Sequence, residues 1–151
     1  MRKGASVTDA LALDRQVCFA LAVASRSVIA LYRPLLEPMG LTHPQYLVML
    51  ALWEREPRTV GDLAGALSLE PATLSPLLKR LESAGYVTRA RRTDDERALD
   101  VSLTEAGRAL RSRAEQVPPA LLERLGMQLT DLERIRDDLT RLIAAAAPDR
   151  S

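Results

Sequence analysis

The sequence is poor in the residues that bind metals and form disulfides. It has one cysteine and one histidine in 151 residues, and only 3% of its residues are aromatic. A single cysteine cannot form a disulfide within the chain, and one cysteine with one histidine is too few for a zinc site. We therefore expect no metal, no cofactor and no disulfide framework, and we expect a cytoplasmic protein.

Long hydrophobic runs and a net excess of charge are also missing. No unbroken apolar stretch is longer than the eight residues of Tyr46–Trp53, whereas a helix that spans the bilayer needs about 20. Residues 1–10 lack the apolar segment of a signal peptide, so we expect no membrane association. The 21 basic and 20 acidic residues nearly cancel, yet residues 79–92 contain five basic residues and one acidic residue. Any signal for nucleic acid must therefore be local.

Apolar residues at helical spacing organise the first part of the chain. Hydrophobic residues make up 47% of the sequence, which is enough for the core of one domain. The segment 13–31 has the three- and four-residue spacing of an amphipathic helix, which we expect to end before Pro34. Thr42 and Gln45 form a capping box that begins a second helix, and Pro57 closes it. The buried face of this second helix is predicted to contain Leu47, Leu50 and Ala51.

Two more helices are predicted before residue 85. Thr59 caps a short third helix, and after a corner a fourth helix runs to Gly85, a residue suited to a C-terminal stop. Pro76 leaves two interpretations of the fourth helix, because a proline past the first turn removes a backbone hydrogen bond. Either Thr73 is the N-cap and Pro76 lies in the first turn, or the helix begins near Pro71 with a kink.

The periodicity changes from helical to strand-like after Gly85. Segments 86–89 and 99–103 alternate apolar and polar residues and flank a polar turn at 93–97, which predicts a β-hairpin. A helix, a corner, a second helix and a basic hairpin together predict a mostly α protein with a winged helix-turn-helix.

The end of the chain is predicted to be helical again. Thr104 caps a helix that we expect to be interrupted at Pro118–Pro119, and Thr130 with Glu133 should form a final capping box. The first and last helices carry apolar stripes that the small winged region cannot cover, so we expect a homodimer rather than a monomer with one shared core. The predicted dimer interface contains Leu13, Val17, Leu21, Leu132, Ile135, Leu139 and Leu142.

The helix-turn-helix order predicts a surface for double-stranded DNA. An α-helix fits the major groove, so the outward side of the fourth helix can meet base edges and phosphates. The outward residues of that helix are Thr73, Ser75, Lys79 and Arg80. The residues that the hairpin strands bring toward the DNA are Arg89, Arg91 and Arg92. At the hairpin tip, Arg97 suits insertion into a minor groove and Asp95 can orient it, the alternative being a solvated tip of mixed charge.

Several segments resemble the MarR family of transcriptional repressors. The resembling segments around the hairpin are 77–82 (LLKRLE), 94–97 (DDER) and 103–107 (LTEAG). Three further segments resemble one group within that family, the one-cysteine organic hydroperoxide resistance regulators (OhrR). They are 13–21, 32–36 and 44–53. The resemblance covers nearly the whole chain.

This resemblance implies a single MarR-type domain over residues 1–151. Helices at about 11–36 and 105–147 would form the dimer, and residues about 42–104 would form the winged helix-turn-helix. A dimer of winged helices implies a pseudo-palindromic operator, with half-sites roughly 34 to 36 Å apart.

Cys18 matches the reactive cysteine of the resembled group. Taken alone, a cysteine on an apolar helix is more often an inert small hydrophobe than a reactive thiol. If Asp14 caps the helix, Cys18 lies about one turn in, where free amides, the helix dipole and Arg15 favour the thiolate. The resemblance implies a repressor that leaves DNA when organic hydroperoxide oxidises Cys18. With no second cysteine, the sulfenic acid would be capped by a small cellular thiol, cyclise to a sulfenamide, or be over-oxidised.

The resemblance also implies tyrosines that hold the reduced cysteine. Tyr32 follows Cys18 by 14 residues, about 21 Å along one helix, so a contact requires antiparallel first helices from two subunits that cross near Ser25. His43 stands where the family has its second tyrosine. Either His43 takes over that contact, and sensitivity then depends on pH when the imidazole is charged, or it is an exposed histidine at a helix cap.

Two other functions are compatible with the sequence. In a MarR-type repressor released by a small apolar or phenolic ligand, Cys18 would only pack. In a thiol peroxidase, Cys18 would pass through a catalytic cycle, but the basic hairpin and the missing resolving cysteine argue against turnover. We therefore expect a regulator and not an enzyme.

Overall fold

The computed structural model describes residues 9–92, 94 and 98–148. Seven α-helices and three short strands occupy this part of the chain, in the mostly α winged helix-turn-helix arrangement that the sequence predicts. They are α1 (Val17–Leu36), α2 (His43–Glu54), β1 (Arg58–Thr59), α3 (Val60–Leu67), α4 (Pro71–Ser83), β2 (Val87–Arg91), β3 (Leu99–Leu103), α5 (Glu105–Ala114), α6 (Val117–Leu125) and α7 (Leu129–Ala146). Short 3-10 turns, Leu13–Arg15 and Glu37–Met39, lie at the two ends of α1.

Threonine caps fix where three of the helices begin. The Thr42 side chain accepts the amide of Gln45 and the Gln45 side chain accepts the amide of Thr42, which confirms the predicted capping box. Thr59 and Thr104 cap α3 and α5 by accepting an amide three residues along. Gly85 follows α4 with φ at +84°, as expected of a glycine that ends a helix.

Helix α4 begins at Pro71, which decides between the two interpretations of its start. The Glu70 carbonyl accepts the amides of Thr73 at 3.0 Å and Leu74 at 3.1 Å, so the first turn forms there. Proline suits this position because the first amides of a helix have no partner within it. Pro76 lies inside the helix, and Thr73 belongs to its first turn rather than to its N-cap.

A three-stranded antiparallel sheet forms the wing and its base. The strand order is β1-β3-β2, and the hairpin pairs Val87 with Leu103 and Arg91 with Leu99. At the base, β1 pairs Arg58 with Val101. The sequence does not predict β1, because two residues are too few to show an alternating pattern.

The expected effects of proline on two helices are wrong. Pro34 lies inside α1, which continues to Leu36. Pro34 removes only one backbone hydrogen bond, the one that its own amide would donate, and completing the turn buries Leu36 in the core. Pro118 and Pro119 do not interrupt a helix: the break falls between Ala114 and Val117, and both prolines occupy the first turn of α6. Amides in that turn have no helical acceptor to lose.

Two further expectations from helical patterns also fail. Helix α7 begins at Leu129 after Gln128, without a side-chain cap, so Thr130 and Glu133 do not form its capping box. Leu50 was expected on the buried face of α2 but is 41% exposed. Ala51 of the same predicted face is buried.

The core is concentrated in residues 42–104, which we call the winged lobe. Its fully buried side chains interlock α2, α3, α4 and the sheet. They include Val48, Met49, Leu52, Leu63, Leu74, Leu78, Leu81, Val87 and Val101. By contrast, helices α1 and α7, which we call the arms, are described in full and contribute one buried residue, Leu36 of α1.

Candidate redox site and DNA-binding surface

Cys18 is the second residue of α1 and its side chain is exposed. The helix begins at Val17 with Gln16 at the N-cap, so the expected cap by Asp14 is wrong. Asp14 lies instead in the preceding 3-10 turn, since the chain adopts extended geometry at Gln16 before α1 begins. Cys18 is therefore nearer the helix end than expected. Its neighbouring amides lack helical acceptors, and the positive end of the helix dipole favours an anion there.

Tyr32 and His43 lie together where α1 packs against α2. Their ring centroids are 4.8 Å apart, with the rings inclined at 53°. Tyr46 completes the group, 5.8 Å from Tyr32 and 6.4 Å from His43. The structure therefore brings together two of the three residues predicted for the redox site.

Burial changes the proton affinity of this aromatic group. It raises the pKa of Tyr32, and burial together with the nearby Tyr32 raises the pKa of Tyr46. Burial lowers the pKa of His43, which favours the neutral imidazole. His43 also lines a cleft of 330 Å³, together with Arg33 and Glu37.

Tyr46 is a member of this aromatic group that was not among the site residues predicted from the sequence. A signal for it exists, because Tyr46 follows His43 by three residues and residues at that spacing share one face of a helix. Its side chain is only 3% exposed. A phenol so buried beside Tyr32 and His43 belongs to the same group of rings.

Cys18 does not meet this aromatic group within one chain. Cys18 and Tyr32 are both on α1, 14 residues apart, which separates them by about 21 Å along the helix axis. Any contact between them thus needs a second copy of the chain.

Helix α4 presents the side chains predicted to meet DNA. Leu74, Leu78 and Leu81 are buried against the lobe, and this fixes which side of α4 faces outward. The predicted DNA-binding residues Thr73, Ser75, Lys79 and Arg80 are all exposed. The exposed side of α4 is therefore polar and basic.

The arginines of the wing are partly engaged by acidic side chains. Arg89 of β2 donates to Glu82 of α4 at 3.1 Å, which ties the wing to that helix. Arg92 binds both carboxylate oxygens of Asp94 at 2.9 Å. Arg91 is exposed. The predicted pair Asp95 and Arg97 lies outside the described residues.

The arms expose apolar side chains that a soluble monomer would bury. Val17 of α1 is 59% and Ile135 of α7 is 46% exposed, and Leu13, in the 3-10 turn before α1, is 64% exposed. The other residues of the predicted dimer interface are half-buried or exposed, and they are Leu21, Leu132, Leu139 and Leu142. The two arms therefore offer apolar surface to a partner.

The first arm is also long and apolar enough to cross a bilayer. The 23 residues Val17–Met39 reach a mean hydropathy of 1.4 over an 18-residue window. A count of unbroken apolar runs does not detect such a helix, because polar residues interrupt its apolar stretches. Arg26 interrupts this helix near its middle, where a membrane would penalise a charge. The helix also packs against α2 and α6 of the same chain.

Residues 41–99 match the model of the MarR family. The organic hydroperoxide resistance transcriptional regulator of Bacillus subtilis is 39% identical over 89% of this chain and 92% of its own length. The chain belongs to the MarR family. It is a transcriptional regulator of the MarR type, and the predicted resemblance to organic hydroperoxide resistance regulators is confirmed.

Solved structures of two similar proteins bear on the site. AbfR of Staphylococcus epidermidis has been solved bound to DNA in reduced and in overoxidised form. Both align with a TM-score of 0.73, at 33% and 32% identity, over 88% and 89% of this chain and 93% and 95% of theirs. CouR from Rhodococcus jostii, bound to p-coumaroyl-CoA, aligns with a TM-score of 0.77 at 25% identity, over 92% of this chain and 99% of its own.

Proposed function

We propose that the chain is a dimeric repressor that organic hydroperoxide releases from DNA by oxidising Cys18. In the reduced state, the dimer binds a pseudo-palindromic operator in double-stranded DNA through the exposed side of α4 in each subunit. The observation that carries this proposal is the exposed thiol in the first turn of α1, the helix that also carries Tyr32. Two similar proteins add support: one is an organic hydroperoxide resistance regulator, and the other has been solved on DNA in reduced and overoxidised form.

The proposed dimer brings the thiol of one subunit to the aromatic group of the other. Antiparallel arms that cross near Ser25 place Cys18 seven residues from the crossing on one side and Tyr32 seven residues from it on the other. The exposed apolar residues of α1 and α7 then supply the buried surface of the interface. Tyr32 donates a hydrogen bond to the thiolate in this arrangement.

His43 takes the role of a second hydrogen-bond partner in its neutral form. Burial lowers the pKa of His43, so at pH 7 the imidazole offers one donor and one acceptor rather than a positive charge. Sensitivity to hydroperoxide should therefore depend on pH only under acidic conditions, where the imidazole becomes charged. An apolar approach beside Phe19, which is 41% exposed, favours organic hydroperoxides over hydrogen peroxide.

The oxidation transfers one oxygen atom and two electrons. The Cys18 thiolate attacks the distal oxygen of the hydroperoxide, the O–O bond breaks, and the products are a sulfenic acid and an alkoxide that takes up a proton. A small cellular thiol then condenses with the sulfenic acid, giving a mixed disulfide and water. The attached thiol adds bulk where the Tyr32 contact stood.

We assign release to this bulky cap rather than to oxidation alone. AbfR has been solved on DNA in its overoxidised as well as its reduced form. Overoxidation is thus compatible with DNA binding in that relative, whereas a disulfide-linked thiol on Cys18 adds a much larger group than oxygen atoms do. Formation of a sulfenamide would compete with capping by the small thiol, and over-oxidation of Cys18 would be an irreversible side reaction.

The experiment compares wild-type protein with Cys18→Ser on one DNA duplex. The duplex is selected by the reduced protein from random-sequence DNA, and binding is measured before and after cumene hydroperoxide with added free cysteine. We expect the wild type to release the duplex and Cys18→Ser to retain it. Mass spectrometry should show one cysteine attached at Cys18. Equal release of both proteins, or none of either, would refute the thiol switch.

A second candidate is release by an aromatic ligand, as the CouR structure with p-coumaroyl-CoA suggests. An apolar cleft of 330 Å³ lies between α2 and the α5–α6 pair, lined by Leu50, Trp53, Ala114 and Pro118, with Glu54 and Arg111 among its polar residues. Release of wild type and Cys18→Ser alike by a phenolic acid or its coenzyme A thioester would favour this function.

The proposed function also implies where the protein works and that it is not an enzyme. A repressor of chromosomal genes works in the cytoplasm, without a membrane partner. The relatives are transcriptional regulators, and a single oxidation event at Cys18 is a signal rather than an enzymatic cycle. Sustained consumption of hydroperoxide with excess thiol would contradict this assignment.

A further inference from the structure

Tyr86 lies where the recognition helix α4 meets the wing and α5. Its amide donates to the Leu81 carbonyl at 3.0 Å, which closes the end of α4. Its carbonyl accepts the amide of Thr104 at 3.0 Å, at the start of α5. The Thr104 hydroxyl donates to the Gly85 carbonyl at 2.6 Å, which adds a second bond across the same junction. The backbone of Tyr86 thus cannot move without moving α4 and α5.

The first turn of α5 rests directly on this backbone. A Cβ atom added at Gly107 would collide with the Tyr86 carbonyl oxygen, so glycine permits the approach. The Gly107 carbonyl accepts a hydrogen bond from the Trp53 indole of α2 at 2.9 Å. The backbone of Tyr86 is therefore closely packed against α5, which is itself hydrogen-bonded to α2.

The side chain of Tyr86 leaves this junction and reaches the end of the first arm. Its hydroxyl donates to the Met39 carbonyl at 3.0 Å, in the 3-10 turn that follows α1. The ring is half-buried and packs on the core, and Met39 is 4% exposed. Arg113 of α5 donates to the neighbouring Pro38 carbonyl at 2.9 Å. The turn is thus held from two sides.

We propose that Tyr86 is a positioning residue that transmits the position of α1 to the recognition helix. This inference rests on the proposed redox function. The path is short, because Tyr32 lies seven residues before Met39 along α1 and its following turn. A displacement of α1 at the redox site moves Met39, because the helix is continuous with the turn after it. The hydrogen bond from Tyr86 to Met39 then moves Tyr86, and α4 and the wing rotate together with it.

The test is Tyr86→Phe, which removes one oxygen atom and keeps the ring. The quantity compared is the Kd for the selected duplex after cumene hydroperoxide and free cysteine, divided by the Kd before treatment. We expect reduced Tyr86→Phe to bind DNA much as the wild type does and its ratio to fall roughly 2- to 10-fold below the wild-type ratio, the range of one hydrogen bond. Trp53→Phe is the control, because it loses a bond of similar length, from α2 to Gly107 of α5, that does not reach α1 or the turn after it.

The outcomes separate this inference from the proposed function. A wild-type ratio of one means that there is no thiol switch, and the inference falls with it. If the wild type is released and Tyr86→Phe keeps the wild-type ratio, the inference alone is wrong. If Tyr86→Phe weakens both forms equally, or loses DNA binding altogether, Tyr86 serves only the fold and the inference is also overturned.

Discussion

The winged lobe and the arms use apolar residues in opposite ways. In the lobe, at least ten apolar residues are buried, and Leu63, Leu74 and Leu78 among them are 0% exposed. In α7, none of the residues Leu129–Ala146, all of which the structure describes, is buried, although Ile135 and Leu142 are apolar. The two regions therefore differ in where their hydrophobic stabilisation comes from.

The lobe thus has its core within one chain, whereas we propose that the arms obtain theirs from a partner. A long amphipathic helix exposed to water on its apolar side gains little from folding alone. The same surface is favourable when a second copy covers it. We therefore expect changes in the lobe to alter unfolding and changes in the arms to alter assembly.

The largest effect should come from Leu78→Ala in α4. Leu78 is 0% exposed, and removing a fully buried leucine side chain costs about 2–5 kcal/mol of the free energy of unfolding. Urea unfolding followed by Trp53, the single tryptophan, measures this loss. Because Leu78 lies in the lobe, the difference in unfolding free energy between variant and wild type should be the same at every protein concentration.

Leu142→Ala is the matched control, since it is the same substitution at a residue that is 39% exposed in one chain. Its effect should appear as weaker dimerisation in sedimentation equilibrium. A Leu142→Ala dimer as tight as the wild type would contradict the assignment of α7 to the interface. Equal effects of both substitutions on unfolding at high dilution would contradict the comparison itself.

The lobe could be predicted from the sequence more completely than the arms. Its helix starts depend on local side chains, and Thr42, Thr59 and Thr104 form the caps that their positions predict. At the arms, the pattern around Asp14 and Thr130 suggested caps that do not form. A cap competes with every other bond available nearby, so sequence spacing alone does not decide it.

The candidate site shows the same division. The outward residues of α4 follow from the helical period, because three buried leucines fix the exposed side. The pairing of Arg89 with Glu82 could not be predicted, since it joins a strand to a helix through the tertiary fold. Tyr86 and Met39 are 47 residues apart in the chain, and no local pattern links residues so distant.

A smaller effect is expected from Lys79→Ala on the exposed side of α4. Loss of one phosphate contact should weaken DNA binding a few-fold and reduce the slope of log K against log salt by about 1 per subunit. Filter binding or anisotropy over a range of salt concentrations measures both quantities. Arg136→Ala removes the same charge from α7, where it pairs with Asp137. If Arg136→Ala changes the salt slope as much as Lys79→Ala does, α4 is not the DNA-binding side.

The smallest effect should arise where the arm meets the lobe, at His43. Burial lowers the pKa of His43, so the unfolded chain binds a proton more tightly than the folded chain does. Stability should hold above the unfolded pKa of about 6.5 and fall as the pH drops from there toward the lower pKa of the folded state. His43 is the single histidine, so few other groups titrate in this window.

The measurement compares urea midpoints of wild type and His43→Gln from pH 7.5 to 5.5. The wild type should lose stability on acidification, and the variant should lose less. Arg33 and Glu37, which share the cleft with His43, are present in both proteins and cancel in the difference. A wild type that gains stability on acidification would mean that an anion holds the imidazolium in the dimer. If Cys18→Ser abolished that gain, the thiolate of the partner would be the anion, and His43 would act as a cation rather than as a neutral partner.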